Sequence, residues 1–290
     1  MKNILFLTDF SDTANKAVDV AVQLTQKFGA TLHVMHSLNT AQQYINMSMA
    51  STGDLGMPGV EPDIIMETLK TQREQADTNM SELVDQLKAV GVSPITVMSQ
   101  DDVMHDAAEY AEDQNIDLVL MGTHGAKGFR EAFIGSNAQK MVRECATPVL
   151  TLSDRMEQFN TTKMVYASDF TEEAINKKVG EAKAFADALG AELHLVFINT
   201  PAYFEDSEKS HKRLDEVAKT YGIAADHTEV YNDYTIEDGI LAYAKKIDAG
   251  IVSLTTHGFK GFRKLLNDNI TETVVNHSKI PVLSYTVEEV

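Results

Sequence analysis

Two long stretches of this 290-residue chain repeat one pattern of residues. Residues 4–38 read ILFLTDFSDTANKAVDVAVQLTQKFGATLHVMHSL, and residues 164–199 read MVYASDFTEEAINKKVGEAKAFADALGAELHLVFIN. Asp9-Phe10 matches Asp169-Phe170 at an offset of 160, and THGAKGFR from Thr123 matches THGFKGFR from Thr256 at an offset of 133. Pro148-Val149-Leu150 matches Pro281-Val282-Leu283 at that same offset. A repeat of this length is a duplicated domain rather than a solenoid unit. The fall in offset places about 28 extra residues in the first copy, between its second and third strands.

Within each copy, short β-branched runs alternate with amphipathic helical stretches. The runs are 4–8, 31–35, 95–98, 118–121 and 149–152, then 163–167, 192–197, 227–231, 250–254 and 282–286. Ala14, Ala17, Val18, Ala21, Val22 and Leu24 recur at helical spacing and stop at Gly29. Strands alternating with helices in this way predict an α/β fold, a parallel sheet with helices on both faces, because parallel strands need crossovers. The pattern gives domains at 1–155 and 160–290, joined through the polar stretch 153–162. The extra segment, 39–63, carries Gly53, Gly56, Pro58, Gly59 and Pro62 with Met47, Met49 and Met57. It reads as a surface insertion or as a flap over a neighbouring cleft, methionine being adaptable packing material.

Charge narrows the partners. The formal net charge is −18, with 11 basic against 21 acidic residues up to Arg155 and 14 against 22 beyond it. Both halves repel a phosphate backbone and there is no Trp to stack on bases, so nucleic acid is excluded as a partner. The single cysteine, Cys145, forms no intramolecular disulfide; its default reading is a packed thiol in a reducing compartment. The first apolar run is too short for a secretory signal, and none approaches the ~18 residues of a membrane span. A cytoplasmic protein with no membrane partner is expected.

The stretch after the fourth strand of copy one carries the chemistry. Met121-Gly122-Thr123-His124-Gly125 is followed, after nine residues, by Gly135-Ser136-Asn137 at the start of a helix expected over 137–144. Glycine lets the main chain approach a ligand without a Cβ in the way. A helix N-terminus adds unpaired N–H groups and partial positive charge, which together suit phosphate. A turn and a cap explain the same residues equally well.

The spacing Gly122-x2-Gly125-x9-Gly135-Ser136, with Asp9 after the first strand, resembles the universal stress protein family in its tandem two-domain form. The resemblance implies two tandem open parallel five-stranded sheets of order 3-2-1-4-5, a Rossmann-like fold of the adenine-nucleotide α-hydrolase-like kind. In that order strands 1 and 4 flank the switch point where open α/β sheets bind ligands. It further implies ATP (or AMP or ADP) in copy one, with Mg2+ or Mn2+ carried on the phosphates and no protein metal ligands. Leu7, Thr8 and Asp9 would lie beside the nucleoside and the backbone near Ser37 at the adenine edge. Met121 and Gly122 would back the ribose and phosphates, and His124, Gly125, Gly135, Ser136 and Asn137 would wrap the phosphate chain. Ala138 stands where many ATP-binding relatives carry a hydroxyl. The two fifth strands would pair into an intramolecular pseudo-dimer, leaving a homodimer of the whole chain open.

Copy two departs from the pattern. Thr255 replaces Gly122, and Asp268-Asn269 replaces Gly135-Ser136. Asp268 is expected to cap a helix over 269–277 and to occupy the phosphate position. Like charges about 4 Å apart repel by roughly 1 kcal/mol in water and roughly 4 at a partly screened site. Asp9 and Asp169 suit either a ribose contact or an N-cap, with capping favoured for Asp169. His124 and His257 read as loop-orienting rather than catalytic, a His33–His36 metal pair as improbable, and Lys127, Arg130, Lys260 and Arg263 as polyphosphate-steering or simply solvated. No P-loop, H-x-G-H, C-x-x-C or G-x-S-x-G occurs, so no catalytic residue is assigned. The leading expectation is a stress-response or regulatory nucleotide binder. Its alternatives are a nucleotide-free scaffold working through a protein partner, or a slow ATPase.

Overall fold

The computed structural model describes residues 1–38, 62–99, 103–123, 136–257 and 264–287, with residues 62–65, 103, 136, 144, 257 and 264–269 described by backbone alone. The chain forms two compact units, 1–117 and 118–290. The first contains β1 (Asn3–Leu7), α1 (Asp12–Phe28), β2 (Thr31–Ser37), α2 (Pro62–Ala89), β3 (Ile95–Ser99) and α3 (Val103–Asp113). Its strands lie in the order β3-β2-β1, all parallel, with Leu5 opposite His33 and His33 opposite Ile95. Ile4, Leu5 and Phe6 are fully buried, as the two-faced burial of a parallel sheet requires.

The second unit continues with β4 (Leu118–Thr123), α4 (Ser136–Glu144) and β5 (Val149–Ser153), then the whole of copy two. Copy two comprises β6 (Lys163–Ala167), α5 (Glu173–Leu189), β7 (Glu192–Asn199), α6 (Ser207–Tyr221), β8 (Thr228–Asn232), α7 (Ile236–Lys246), β9 (Ile251–His257), α8 (Lys264–His277) and β10 (Val282–Val287). Its strands run β8-β7-β6-β9-β10, which is the expected 3-2-1-4-5 order with every neighbour parallel.

One expectation is corrected by β5 and β10. They pair antiparallel, Val149 with Ser284, Leu150 with Leu283 and Thr151 with Val282. The second unit's strands therefore form one continuous sheet, β4-β5-β10-β9-β6-β7-β8, in place of the separate five-stranded sheets expected for the two copies. Leu150 and Leu283 are equivalent positions of the two copies, so the contact is self-complementary, as in an isologous dimer. Flanking side chains fasten it: Thr151 Oγ1 donates to the Val282 carbonyl at 3.2 Å and Thr256 Oγ1 to the Val142 carbonyl at 3.1 Å. Gln139 Nε2 donates to Glu272 Oε2 at 2.6 Å, and Arg143 closes an ion pair on the same carboxylate.

Helix ends follow the sequence signals. Ser11 caps α1 by accepting from the Ala14 amide, and Gly29 (φ 60°) and Gly190 (φ 68°) end α1 and α5 in the left-handed region at matching places. The extra length of copy one is only partly an insertion. Residues 39–61 lie outside the described part, but Pro62 and Asp63 open α2, which has 28 residues against 15 in α6. Its core face is Ala76, Met80, Leu83 and Leu87, at helical spacing.

The polar stretch between the copies is held at Gly250, whose amide donates to the Lys163 carbonyl at 2.9 Å. A Cβ on Gly250 would stand 1.9 Å from the Asn160 carbonyl oxygen, a backbone atom that cannot rotate away. Gly250→Ala is therefore expected to destabilise by more than about 2 kcal/mol in urea denaturation. A wild-type midpoint would show that the backbone near Asn160 yields freely.

Candidate functional site

At the end of β1 the chain makes a turn that copy two repeats. Phe10 (φ 58°) and Phe170 (φ 56°) both lie in the left-handed region, where a bulky non-glycine residue is costly by about 1–3 kcal/mol. The side chains before them hold the turn. Thr8 Oγ1 accepts from the Phe10 amide at 3.0 Å, and Asp9 Oδ1 from the Ser11 amide at 3.0 Å. In copy two Ser168 Oγ accepts from Phe170 at 3.2 Å and Asp169 Oδ1 from Thr171 at 3.1 Å. Neither aspartate caps a helix: the N-cap residues are Ser11 and Glu172, and Glu172 makes no side-chain capping bond. The expected capping role of Asp169 is thus corrected. Both aspartates recur because they catch the amide two residues on, the Asx-turn geometry.

Leu7 and Thr8 are buried, Asp9 is exposed, and Ser37 ends β2 two residues beyond Met35, the partner of Leu7. Four of the expected residues thus stand at one end of the unit 1 sheet. His36 seals this corner: its Nδ1 contacts the Thr8 carbonyl at 2.8 Å and its ring packs on Phe10 at 4.4 Å. His33 instead meets the Tyr110 hydroxyl at 2.8 Å, and burial lowers its pKa. The two histidines serve separate contacts.

In the second unit, Met121 is buried and Gly122 half-buried in β4, paired with Thr151 and Leu152. The helix α4 begins at Ser136, so the amides of Ser136 and Asn137 are among its first four N–H groups, which have no partner within the helix. Asn137 is exposed and Ala138 buried. His124, Gly125 and Gly135, with Lys127 and Arg130, lie outside the described residues, as do Gly258, Lys260 and Arg263; of His257 only the backbone is described.

Copy two contains the switch point in full. β6 and β9 are parallel neighbours, and a cavity of about 110 Å3 opens at their C-terminal ends. Its walls are largely apolar (Ile175, Phe197, Ile198, Ile240, Leu254), with Ser168, Asp169, Thr255 and Thr271 as polar points. Sites for cofactor-sized ligands are about 300–1,000 Å3, so this space is smaller than such a site. Thr255, in the place of Gly122, lines it, and its Oγ1 is in a close hydrogen bond with the Tyr166 hydroxyl. That hydroxyl also donates to the Ile175 carbonyl at 3.2 Å, and burial pushes its pKa far up. Copy one has Phe6 where copy two has Tyr166, so the extra hydroxyl arrives together with the extra Cβ. Asp268 does not cap its helix as expected: α8 starts at Lys264, which puts Asp268 in the helix's second turn. Its side chain lies outside the described residues.

Cys145 is packed as expected, 1% exposed, and burial raises the pKa of its thiol.

In copy two the first and fourth strands, β6 and β9, are parallel neighbours, the switch-point arrangement of open α/β folds. The sequence profile of the Universal stress protein family matches this chain twice, over residues 1–153 and 160–285, and the chain belongs to that family in tandem form. Universal stress protein Slr1230 of Synechocystis is 23% identical over 295 residues, covering 98% of this chain and 100% of its own length. A universal stress protein of Thermus aquaticus is 31% identical over 150 residues, covering 51% of this chain and 96% of its own. Among solved structures, a universal stress protein from Archaeoglobus fulgidus superposes with a TM-score of 0.71 at 19% identity, over 98% of both chains.

The Tyr166–Thr255 bond yields a direct test. Tyr166→Phe, which installs the residue of copy one, is expected to cost about 0.5–1.5 kcal/mol in urea denaturation, the net worth of a buried hydrogen bond. An unchanged midpoint would mean that the hydroxyl pair does not hold this wall of the cavity.

Proposed function

We propose that this universal stress protein is an adenine-nucleotide binder with one nucleotide site, in the copy at 1–155, and that the copy at 160–290 acts as its intramolecular partner. The observation that carries the reading is the contrast at one strand end. Copy one keeps glycine at 122 and opens α4 at Ser136, while copy two places the Thr255 side chain against a small, largely apolar cavity. On this reading Leu7, Thr8, Asp9 and the backbone near Ser37 take the nucleoside. Met121 and Gly122 back the ribose and phosphates, and His124, Gly125, Gly135, Ser136 and Asn137 hold the phosphate chain. A helix N-terminus gives the phosphates fixed N–H donors with no cationic side chain required. ATP is the favoured ligand, with any Mg2+ or Mn2+ bound through its phosphates.

The protein's part is binding and orientation, and no residue is assigned a catalytic step. Among the described residues, no helix is long and apolar enough to cross a membrane, in keeping with a cytoplasmic regulator.

Nucleotide extraction tests the reading. Denaturing the purified chain and running the supernatant on anion exchange is expected to yield adenine nucleotide at near one per chain. ATP at 100 times its Kd is expected to stabilise the fold by about 2.7 kcal/mol, read as a rise in melting temperature. Gly122→Thr, which copies the second half, removes that rise, whereas Thr255→Gly leaves it in place. No released nucleotide together with no ATP-dependent rise would favour the scaffold reading, and retention of the rise in Gly122→Thr would move the site elsewhere.

A further inference from the structure

Copy two holds a cluster that copy one lacks. Glu192 and His194 are two residues apart on β7 and so point to the same face of the sheet. His227 ends a short 3-10 turn, Ala225–His227, just before β8. Leu195 pairs with Thr228, so His194 and His227 stand side by side one step earlier, and their rings stack at 4.2 Å between centroids. One donor atom from each of Glu192, His194 and His227 lies within 4.8 Å of the other two.

His194 is 7% exposed, yet neither of its ring nitrogens has a hydrogen-bond partner. The nearest carboxylate oxygen, Glu192 Oε2, is 3.8 Å from Nε2, beyond hydrogen-bond distance. A buried imidazole with both nitrogens unsatisfied is costly and calls for a missing partner. Copy one supplies the internal control. There the equivalent His33 is satisfied by Tyr110, Thr31 stands in place of Glu192, and the β3 neighbour of His33 is Ile95. Tyr243, at the position of Tyr110, packs on Tyr231 instead and gives His194 no hydroxyl. Among the described residues, the one buried histidine common to the two copies has lost its hydroxyl partner in the half that gained a carboxylate and a second imidazole.

We propose that Glu192, His194 and His227 form a binding site for a divalent transition-metal ion of the zinc class. Two imidazoles and a carboxylate are the donor set that Zn2+, Co2+ and Ni2+ favour over Mg2+ and Ca2+. Tetrahedral zinc with bonds of about 2.0–2.1 Å sets its donors about 3.4 Å apart, so the widest pair must close by about 1.4 Å. A metal lies in the plane of each imidazole it binds, so the stacked rings must open by rotation of His227, which faces solvent in part, while Glu192, its side chain 56% exposed, closes the remaining distance. The fourth position is left to water. Asp226 Oδ1, 4.0 Å from His227 Nε2, adds negative charge at the rim, while Lys163 adds positive charge near His194. The ion would tie the start of β7 to the start of β8 and satisfy one ring nitrogen of His194. This site is independent of the nucleotide reading.

The test uses the full, untagged chain and Co2+ alone as probe. One Co2+ per chain is expected, with visible d–d bands that Zn2+ displaces. His227→Ala, a change at a partly exposed side chain outside the core, is expected to weaken Co2+ binding on the order of 100-fold, with circular dichroism unchanged. Glu192→Gln weakens it about 10-fold. In ring-nitrogen NMR spectra Zn2+ shifts the His194 and His227 resonances and leaves the other seven histidines in place. Co2+ binding that survives His227→Ala, shifts confined to other histidines, or no saturable binding at all would overturn the site.

Discussion

The second unit is organised by the antiparallel joint between β5 and β10. Each strand would otherwise end its half as an exposed row of N–H and C=O groups, an edge open to any passing strand. Pairing Leu150 with Leu283 satisfies both rows at once and buries both leucines completely. Because equivalent residues meet across the joint, each copy's fifth strand serves as the other's cover. The Glu272 carboxylate, held by Gln139 and Arg143, then fixes α4 against α8. Gln139 and Glu272 occupy equivalent positions in the two copies, so the joint is symmetric in backbone and asymmetric in charge.

Duplication also freed the halves to diverge where the backbone is already fixed. The Asp-Phe turn is kept in both, down to the left-handed φ of the phenylalanine, because two neighbouring side chains secure it. At the strand ends around it, the residues differ. Phe6 and Gly122 in one copy become Tyr166 and Thr255 in the other, and the new hydroxyls bond to each other. His33 and His194 diverge in the same way at the opposite end of their strands, one capped by a tyrosine and one beside an acid and a second imidazole. Retained backbone and altered side chains are how one fold accommodates different ligands.

Much of this was legible in the residues. Every strand fell within a few residues of its β-branched run, since two-faced burial demands apolar side chains at every position. The helix-ending glycines at 29 and 190 were equally plain. What escaped was decided by backbone pairing or by competition between local signals. The pairing of β5 with β10 was expected from the family resemblance, but that it merges two sheets into one rests on main-chain bonds that side-chain pattern does not encode. Asp268 has the chemistry of an N-cap, but Lys264, Leu265 and Leu266 ahead of it are good helix formers and carry the helix past it. Asp169 looked like a cap and proved to be a turn residue because Thr171 presents its amide two positions on. The Glu192–His194–His227 cluster depends on the register of β7 with β8, which a single sequence does not reveal. Of the proposed nucleotide site, the turn after β1 and the start of α4 are described, while its central glycines are not among the described residues.

The fusion at β5 and β10 has a thermodynamic corollary. Two free subunits separate when diluted, and their pairing varies with how much protein a cell makes. Halves carried on one chain meet at a fixed effective concentration, set by the short polar stretch between them. The pairing of its two halves is thereby independent of expression level.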